Sequence, residues 1–198
     1  MSVLVAPRTT IPRDVIVDRG SWAMGMFIAT EAMLFVSLFF AYYYLGHQVA
    51  KWPPEPPKAG LALVMLAVLL TSSVLLHQGE RAERRGRTAA ARMWVAVTVA
   101  LGLLFLGLQA LEYRNHLREL QPTTDAYGSI FYTITSIHGL HVLLGVAMLA
   151  YVLLLPEIGP GRKPPHRPLH NAALYWHFVD VVWVLIVGLL YVAPNIRP

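Results

Sequence analysis

The 198-residue chain contains no cysteine. Disulfide bonds, iron–sulfur clusters and thiolate zinc or copper sites are therefore excluded. Charged side chains are also scarce, at 14% of the sequence, whereas soluble domains carry about 25%. With 56% of its residues apolar, the chain has too little polar surface for a soluble fold of this length. Lipid is the solvent that suits such a composition.

The chain is basic, with a net charge of +5 and a pI near 9.7, which raises the question of nucleic-acid binding. Its basic residues, however, lie in short segments between long apolar runs. Membrane topology and anionic lipid headgroups explain arginine at such places better. We therefore expect membrane phospholipids as partners and no nucleic acid. Residues 1–21 lack the apolar core of a signal peptide, and we interpret them as a polar N-terminal tail.

Five apolar segments are long enough to cross a bilayer core of about 30 Å, which needs roughly 20 helical residues. The segments between them carry charges or helix breakers, such as the four prolines within residues 53–57. A β-barrel is disfavoured, because its strands of about 10 residues would alternate in polarity. The sequence therefore predicts an all-α, polytopic membrane helix bundle that forms a single membrane domain over residues 1–198. The predicted spans are 22–45, 60–77, 93–112, 128–155 and 172–193.

The distribution of lysine and arginine predicts how these spans are oriented. An odd number of spans places the two termini on opposite sides of the membrane. Eleven of the 16 basic residues fall on the side of the N-terminus, and five fall on the other side. Because basic residues are retained in the cytoplasm, we expect a cytoplasmic N-terminus and an external C-terminus.

Carboxylic acids stand out at membrane depth, where a charge costs about 2.5–3.5 kcal/mol on insertion scales. Glu31 lies in the first span, which contains no basic residue. We expect it to be protonated or to bind a polar partner on another helix. A helix–helix hydrogen bond and a proton-relay or lipid-linked carboxyl group both remain open as its role. Glu112 lies at the end of the third span.

Two pairs of ionisable residues also lie in the predicted spans. The members of each pair are three residues apart and therefore share a helix face. His138 and His141 of the fourth span could bind a metal only with additional ligands from other helices. Hydrogen bonds to carboxyl or carbonyl groups of other helices are the more ordinary outcome. His177 and Asp180 of the fifth span are interpreted as a polar clamp within the bundle.

The motifs of a self-sufficient enzyme are missing from the sequence. We find no nucleophile–base constellation, glycine-rich phosphate loop or dinucleotide fingerprint. We therefore expect this chain to have no catalytic residue and to bind no metal or cofactor of its own.

Four sequence strings, which occur in order along the chain, carry a resemblance to a known family. They are Phe27-Ile-Ala-Thr-Glu31, Gln109-Ala-Leu-Glu-Tyr113, Thr135-Ser-Ile-His-Gly-Leu-His-Val142 and Tyr175-Trp-His-Phe-Val-Asp-Val-Val-Trp183. They resemble signature segments of cytochrome c oxidase subunit III. Each string alone is a weak signal, but together, within residues 22–191, they are specific. Thr30 and Ser136 replace a serine and a glycine of the family pattern, and both are small enough to fit.

The resemblance implies an accessory, metal-free subunit of a proton-pumping oxidase in a bacterial plasma membrane. Subunit I, the expected main contact, would hold the haem and copper that reduce oxygen, with subunit II and small subunits as further neighbours. Subunit III would support proton uptake and the stability of the catalytic subunit. Many family members have seven helices, with a lipid-filled cleft between the first two and the rest. The five spans here correspond to the rest, so we expect an altered lipid site.

Other functions remain open at this point. Subunit III of a quinol oxidase and the homologue associated with nitric oxide reductase are alternatives within the same superfamily. In a different class, the chain could be a small proton-coupled transporter or channel, although no inverted repeat or interrupted helix pair is visible.

Overall fold

The computed structural model describes residues 13–49, 52–53, 57–116, 126–155 and 168–196, and this part of the chain is helical apart from short connections. The five main helices are α1 (Arg13–His47), α2 (Ala59–Arg84), α3 (Thr88–His116), α4 (Ala126–Leu154) and α5 (Pro168–Ile186). A π-helical segment, Val187–Val192, continues α5 into a final turn, α6 (Ala193–Ile196).

Within the described residues, five helices are long and apolar enough to cross a membrane, which confirms the predicted all-α bundle of five spans. The first 12 residues of the predicted tail lie outside the described residues. So do most of the proline-rich connection after α1 and most of the connections after α3 and α4.

The helices continue beyond the apolar segments by which the sequence predicts them. α2 extends to Arg84 because its polar end is rich in alanine, glutamate and arginine, which are strong helix formers. It stops where Gly86 adopts a φ of +71°, a conformation that glycine reaches without a steric cost. The amide groups of Gly86 and Arg87 then donate hydrogen bonds to the carbonyl oxygens of Glu83 and Ala82, both at 2.9 Å. This tight ending lets α3 begin at Thr88 and run back antiparallel to α2.

The helices α2, α3, α4 and α5 form a ring in which each packs against its two neighbours. Among the described residues, the remaining helix, α1, makes its main contacts with α4 and α5. Most of the apolar side chains of α1 are consequently exposed, whereas α5 buries most of its own. The helix α5 is therefore the common element to which α1, α2 and α4 are attached.

Trp176 of α5, one of the fully buried tryptophans, occupies a slot between two glycines. A Cβ atom at Gly102 of α3 would lie 2.7 Å from Cη2 of the indole, and one at Gly145 of α4 would lie 2.8 Å from Cε3. The indole Nε1 donates a hydrogen bond to Ser72 Oγ of α2 at 2.9 Å. One residue of α5 thereby contacts the three other helices of the ring.

Candidate functional site

Glu31 and His141 join α1 to α4 near the middle of their membrane-spanning segments. Glu31 Oε2 lies 2.9 Å from His141 Nε2. The second ring nitrogen, Nδ1, lies 2.7 Å from the carbonyl oxygen of Ile137, one turn earlier in α4. The imidazole is flanked by the Phe35 ring, edge-on with centroids 5.0 Å apart, and by the stacked Tyr175 ring at 6.5 Å. An ionisable pair is thus held between aromatic rings of α1 and α5.

The two contacts of His141 determine where hydrogens must lie. A carbonyl oxygen can only accept, so Nδ1 carries a hydrogen and donates it to Ile137. The contact between Nε2 and Glu31 Oε2 then holds one more hydrogen, either on an imidazolium or on a protonated carboxyl group. Both arrangements are electrically neutral. The pair can therefore move a proton between nitrogen and oxygen without adding net charge to the membrane interior.

A second cluster joins α2 to α5. Ser73 Oγ donates a hydrogen bond to Asp180 Oδ2 and lies 2.9 Å from His177 Nδ1. His177 Nδ1 is 3.8 Å from the same carboxylate oxygen. These are the residue types of a catalytic triad, but the serine and the aspartate both face Nδ1, so the histidine does not stand between them. The cluster is therefore arranged as a clamp between two helices and not as an activated nucleophile.

A third group of polar side chains lies at the end of α3. Glu112 accepts a hydrogen bond from Tyr191 Oη at 3.1 Å, which ties α3 to the π-helical segment. Gln109 Nε2 donates to the carbonyl oxygen of Thr135 at 2.7 Å, and Tyr113 Oη lies 2.7 Å from Thr135 Oγ1. These contacts join α3 to α4 at the opposite end of the bundle from the connection between α2 and α3.

His138 is fully buried and stands apart from these clusters. Its ring stacks on Trp183 with centroids 4.9 Å apart and meets the edges of Phe105 and Phe35. Among the described residues, neither ring nitrogen has a hydrogen-bond partner. His138 and His141 thus lie three residues apart in α4 but have different surroundings. His138 contacts aromatic rings, whereas His141 also contacts the carboxyl group of Glu31.

The six residues singled out from the sequence are brought together only in pairs. Glu31 meets His141, and His177 meets Asp180, whereas Glu112 and His138 remain separate from both. Within the described part of the chain, no three histidine, aspartate or glutamate side chains are grouped so that they could hold a metal ion.

Glu80 is a buried acidic residue that the sequence did not single out, because it lies after the apolar part of α2. Its Oε1 lies 3.0 Å from His170 Nδ1 of α5. Its Oε2 lies 3.7 Å from His77 Nδ1 and from Arg84 Nη2. The spacings of three and four residues were an available signal, since they place both basic groups beside Glu80 on a helix. This cluster fastens the beginning of α5 to the end of α2.

Together, the fold and these clusters define a multi-pass helical membrane protein whose intramembrane polar groups connect helices. The sequence model of the family described as cytochrome c oxidase subunit III matches residues 12–194. The chain belongs to this family, as its sequence strings indicated. It is therefore a non-catalytic subunit of an oxidoreductase complex.

Three bacterial relatives illustrate the similarity. A cytochrome c oxidase subunit 3 from Synechocystis sp. is 37% identical over 88% of this chain and 76% of its own length. One from Thermostichus vulcanus is 34% identical over 84% of both chains. A probable cytochrome c oxidase subunit 3 from Mycobacterium tuberculosis is 35% identical over 84% of both chains. These names do not favour the quinol oxidase, nitric oxide reductase or transporter alternatives.

Proposed function

We propose that this chain is the accessory, metal-free subunit of a proton-pumping oxidase in a bacterial plasma membrane. Its role is to support proton uptake by the oxygen-reducing subunit and to prolong the working life of that subunit. Haem and copper belong to the partner, subunit I, with subunit II and small subunits as additional neighbours. Phospholipids surround the remaining surface.

The Glu31–His141 pair is the observation that carries this proposal. The carboxyl side chain is 24% exposed and the imidazole 12% exposed, so the pair connects the outer surface of the bundle to its interior. A helix–helix hydrogen bond alone does not require two ionisable groups. A pair that stays neutral with either atom protonated suits proton transfer in a low-dielectric medium, because neither state leaves an uncompensated charge.

The proposed orientation rests on the connection between α2 and α3. The last turn of α2 and this connection together carry Arg81, Arg84, Arg85 and Arg87 within seven residues, all of them exposed. Such a cluster favours the cytoplasmic side. The beginning of α1 lies at the same end of the bundle, since α1 and α2 cross in opposite directions. We therefore expect a cytoplasmic N-terminus and an external C-terminus.

The substitution Glu31→Gln in the intact oxidase tests the proton-linked role. A glutamine amide group can donate a hydrogen to His141 Nε2 while Nδ1 keeps its bond to Ile137, so the contact between α1 and α4 is preserved. We expect normal assembly and haem content. Proton uptake should nevertheless be slower, or the enzyme should inactivate sooner during turnover, because the exchangeable carboxyl proton is gone.

A matched variant, Glu31→Leu, separates proton transfer from structure. It removes both the proton and the hydrogen bond, and we expect weaker assembly as well as altered kinetics. Proton-uptake kinetics and turnover lifetime should be measured for both variants beside the unmodified complex. Wild-type values for Glu31→Gln, with loss of assembly only in Glu31→Leu, would mean that the pair has a structural role alone.

A further inference from the structure

The helix α5 and the π-helical segment that continues it present a row of half-exposed and exposed residues to the outside of the bundle. They recur at intervals of three or four residues and comprise His170, Leu174, His177, Val181, Val184 and Gly188. Such spacing places these residues on one face of the helix. The row ends at Gly188, whose lack of a side chain allows a neighbouring backbone to approach closely, as in many transmembrane contacts.

His177 places a polar group in this row deep within the membrane. The span runs from Pro168 to Val192, and His177 is three residues, or about 4.5 Å along the axis, from its middle. Lipid headgroups begin about 15 Å from the midplane of a hydrocarbon core roughly 30 Å thick. The imidazole side chain is 41% exposed at this depth. A lipid headgroup is therefore out of reach, and contact with acyl chains would leave the imidazole without a polar partner.

The internal cluster determines which group His177 offers to the outside. If Asp180 is ionised and His177 is an imidazolium, Nδ1 donates to Ser73 and the hydroxyl donates to the carboxylate. This arrangement agrees with the direction of the Ser73 hydrogen bond, whose single hydroxyl hydrogen goes to Asp180 Oδ2 and leaves Ser73 Oγ to accept from Nδ1. The cluster is then neutral overall, and the imidazolium also carries a hydrogen on Nε2. Among the described residues, Nε2 has no hydrogen-bond partner, so the outer face of α5 offers an N–H donor.

The outer face of α4 differs in character. Its large exposed side chains in the middle of the span are Leu140, Leu143 and Leu144, which contact acyl chains without leaving a polar group unsatisfied. Two faces of one bundle therefore differ in what can cover them. The face of α4 suits lipid, whereas the face of α5 suits a surface that contains a hydrogen-bond acceptor.

We propose that this face of α5, defined by the row from His170 to Gly188, is the surface on which a transmembrane helix of another oxidase subunit packs. That helix carries an acceptor, such as a carboxylate, a hydroxyl group or an unpaired backbone carbonyl, opposite His177 Nε2. The inference rests on the proposed function, since it requires the chain to work inside an oxidase complex. Beyond that function, it identifies the side of the bundle that faces the partner and the atom with which the partner must form a hydrogen bond.

Photo-cross-linking from Val181 in the intact oxidase tests this surface. Val181 lies one turn after His177 in the row and is exposed, so benzoylphenylalanine at this position can be accommodated. The same probe at Leu144 of α4 is a matched control of similar exposure on the leucine face. We expect the protein-linked fraction from Val181 to exceed that from Leu144 several-fold. Val181 products that contain only lipid, or a protein-linked fraction no greater than that of Leu144, would overturn the proposal.

The failure of this surface can be distinguished from the failure of the proposed function. An affinity-tagged, unsubstituted chain should co-purify with haem-containing oxidase subunits. Absence of haem from that preparation would refute the proposed function itself. Haem in the preparation, combined with lipid-only products from Val181, would leave the function standing and refute the α5 surface.

Discussion

The indole of Trp176 fits at the centre of this bundle because two residues beside it are glycines, which have only a hydrogen atom as a side chain. Gly102 and Gly145 approach opposite parts of Trp176 so closely that a methyl group at either position would overlap the ring. Dense cores respond to a single added methyl group because the surrounding atoms have no free volume into which to move. The position of α5 in the ring therefore depends on two glycines from two other helices.

Gly102→Ala is expected to destabilise the protein by about 1–3 kcal/mol, the usual cost of overpacking. Gly107→Ala is the matched control in the same helix, since a Cβ atom there would have no neighbour within 4 Å. The control should be neutral or stabilising by up to about 1 kcal/mol, because alanine favours helix more than glycine does. Unfolding of both purified variants in a denaturing detergent series measures the difference. Equal midpoints would show that the slot around Trp176 tolerates a methyl group.

Individual residues differ in how far the sequence alone identifies them. Glu31, His141, His177 and Asp180 were recognisable because ionisable groups are rare in apolar spans. Ser73 was not recognisable, because most hydroxyl groups in such helices bond to their own backbone, as Ser37 does to the carbonyl oxygen of Met33 at 2.9 Å. Nothing in the sequence distinguishes a hydroxyl group that turns back from one that reaches across to another helix.

At the scale of the helices, the ends were less predictable than the centres. An apolar segment marks only the part of a helix that lies in lipid, whereas hydrogen bonding continues into the polar residues that follow. The end of α4 illustrates a different case, because its capping group comes from another helix. Arg92 Nη2 of α3 donates hydrogen bonds to the carbonyl oxygens of Leu153 at 2.8 Å and Leu155 at 3.3 Å. The sequence around α4 contains no sign of this cap.

Arg92→Leu is expected to loosen the end of α4 without affecting its centre. The last carbonyl groups would lose their donors, together with a positive charge that interacts favourably with the helix dipole. A helix-end charge contributes about 0.3–1 kcal/mol, which corresponds to about twofold to fivefold faster amide exchange over the last turn of α4. Hydrogen–deuterium exchange of the detergent-solubilised protein measures this effect.

Arg81→Leu provides the control for that substitution. Arg81 is exposed in α2, and its side chain has no partner among the described residues. The Arg81→Leu substitution should leave amide hydrogen exchange at the end of α4 unchanged. Equal acceleration in both variants, or in neither, would contradict the capping role of Arg92.

At the scale of the whole molecule, the number and order of the spans follow from hydropathy, and the family follows from four short strings. The arrangement of the helices does not, because an apolar helix surface does not reveal which other helix it contacts. The position of α1 outside the ring is an example. Its apolar side chains resemble those of the inner helices in composition, yet most of them remain exposed.

The proposed orientation of the bundle can be tested with single cysteines, because the chain has none of its own. Lys58, just before α2, should lie outside, and Arg87, between α2 and α3, should lie in the cytoplasm. In spheroplasts, a membrane-impermeant maleimide should therefore label Lys58→Cys directly. It should label Arg87→Cys only after the membrane is permeabilised. The reverse pattern would mean that the whole bundle is inverted.

The π-helical segment Val187–Val192 changes the direction in which the following side chains point more than it changes the length of the helix. Hydrogen bonds in such a segment span five residues instead of four, which is equivalent to adding one residue to an α-helix. Tyr191 follows Trp183 by eight residues, and a regular helix of 3.6 residues per turn would turn it about 80° away from that tryptophan. With one residue absorbed, the offset falls to about 20°, and the phenol points inward to Glu112. In genetic terms, the segment resembles the insertion of one codon, because one extra residue rotates everything that follows it. Deleting any one residue of the segment would leave the composition almost the same but would turn the tyrosine toward a different neighbour.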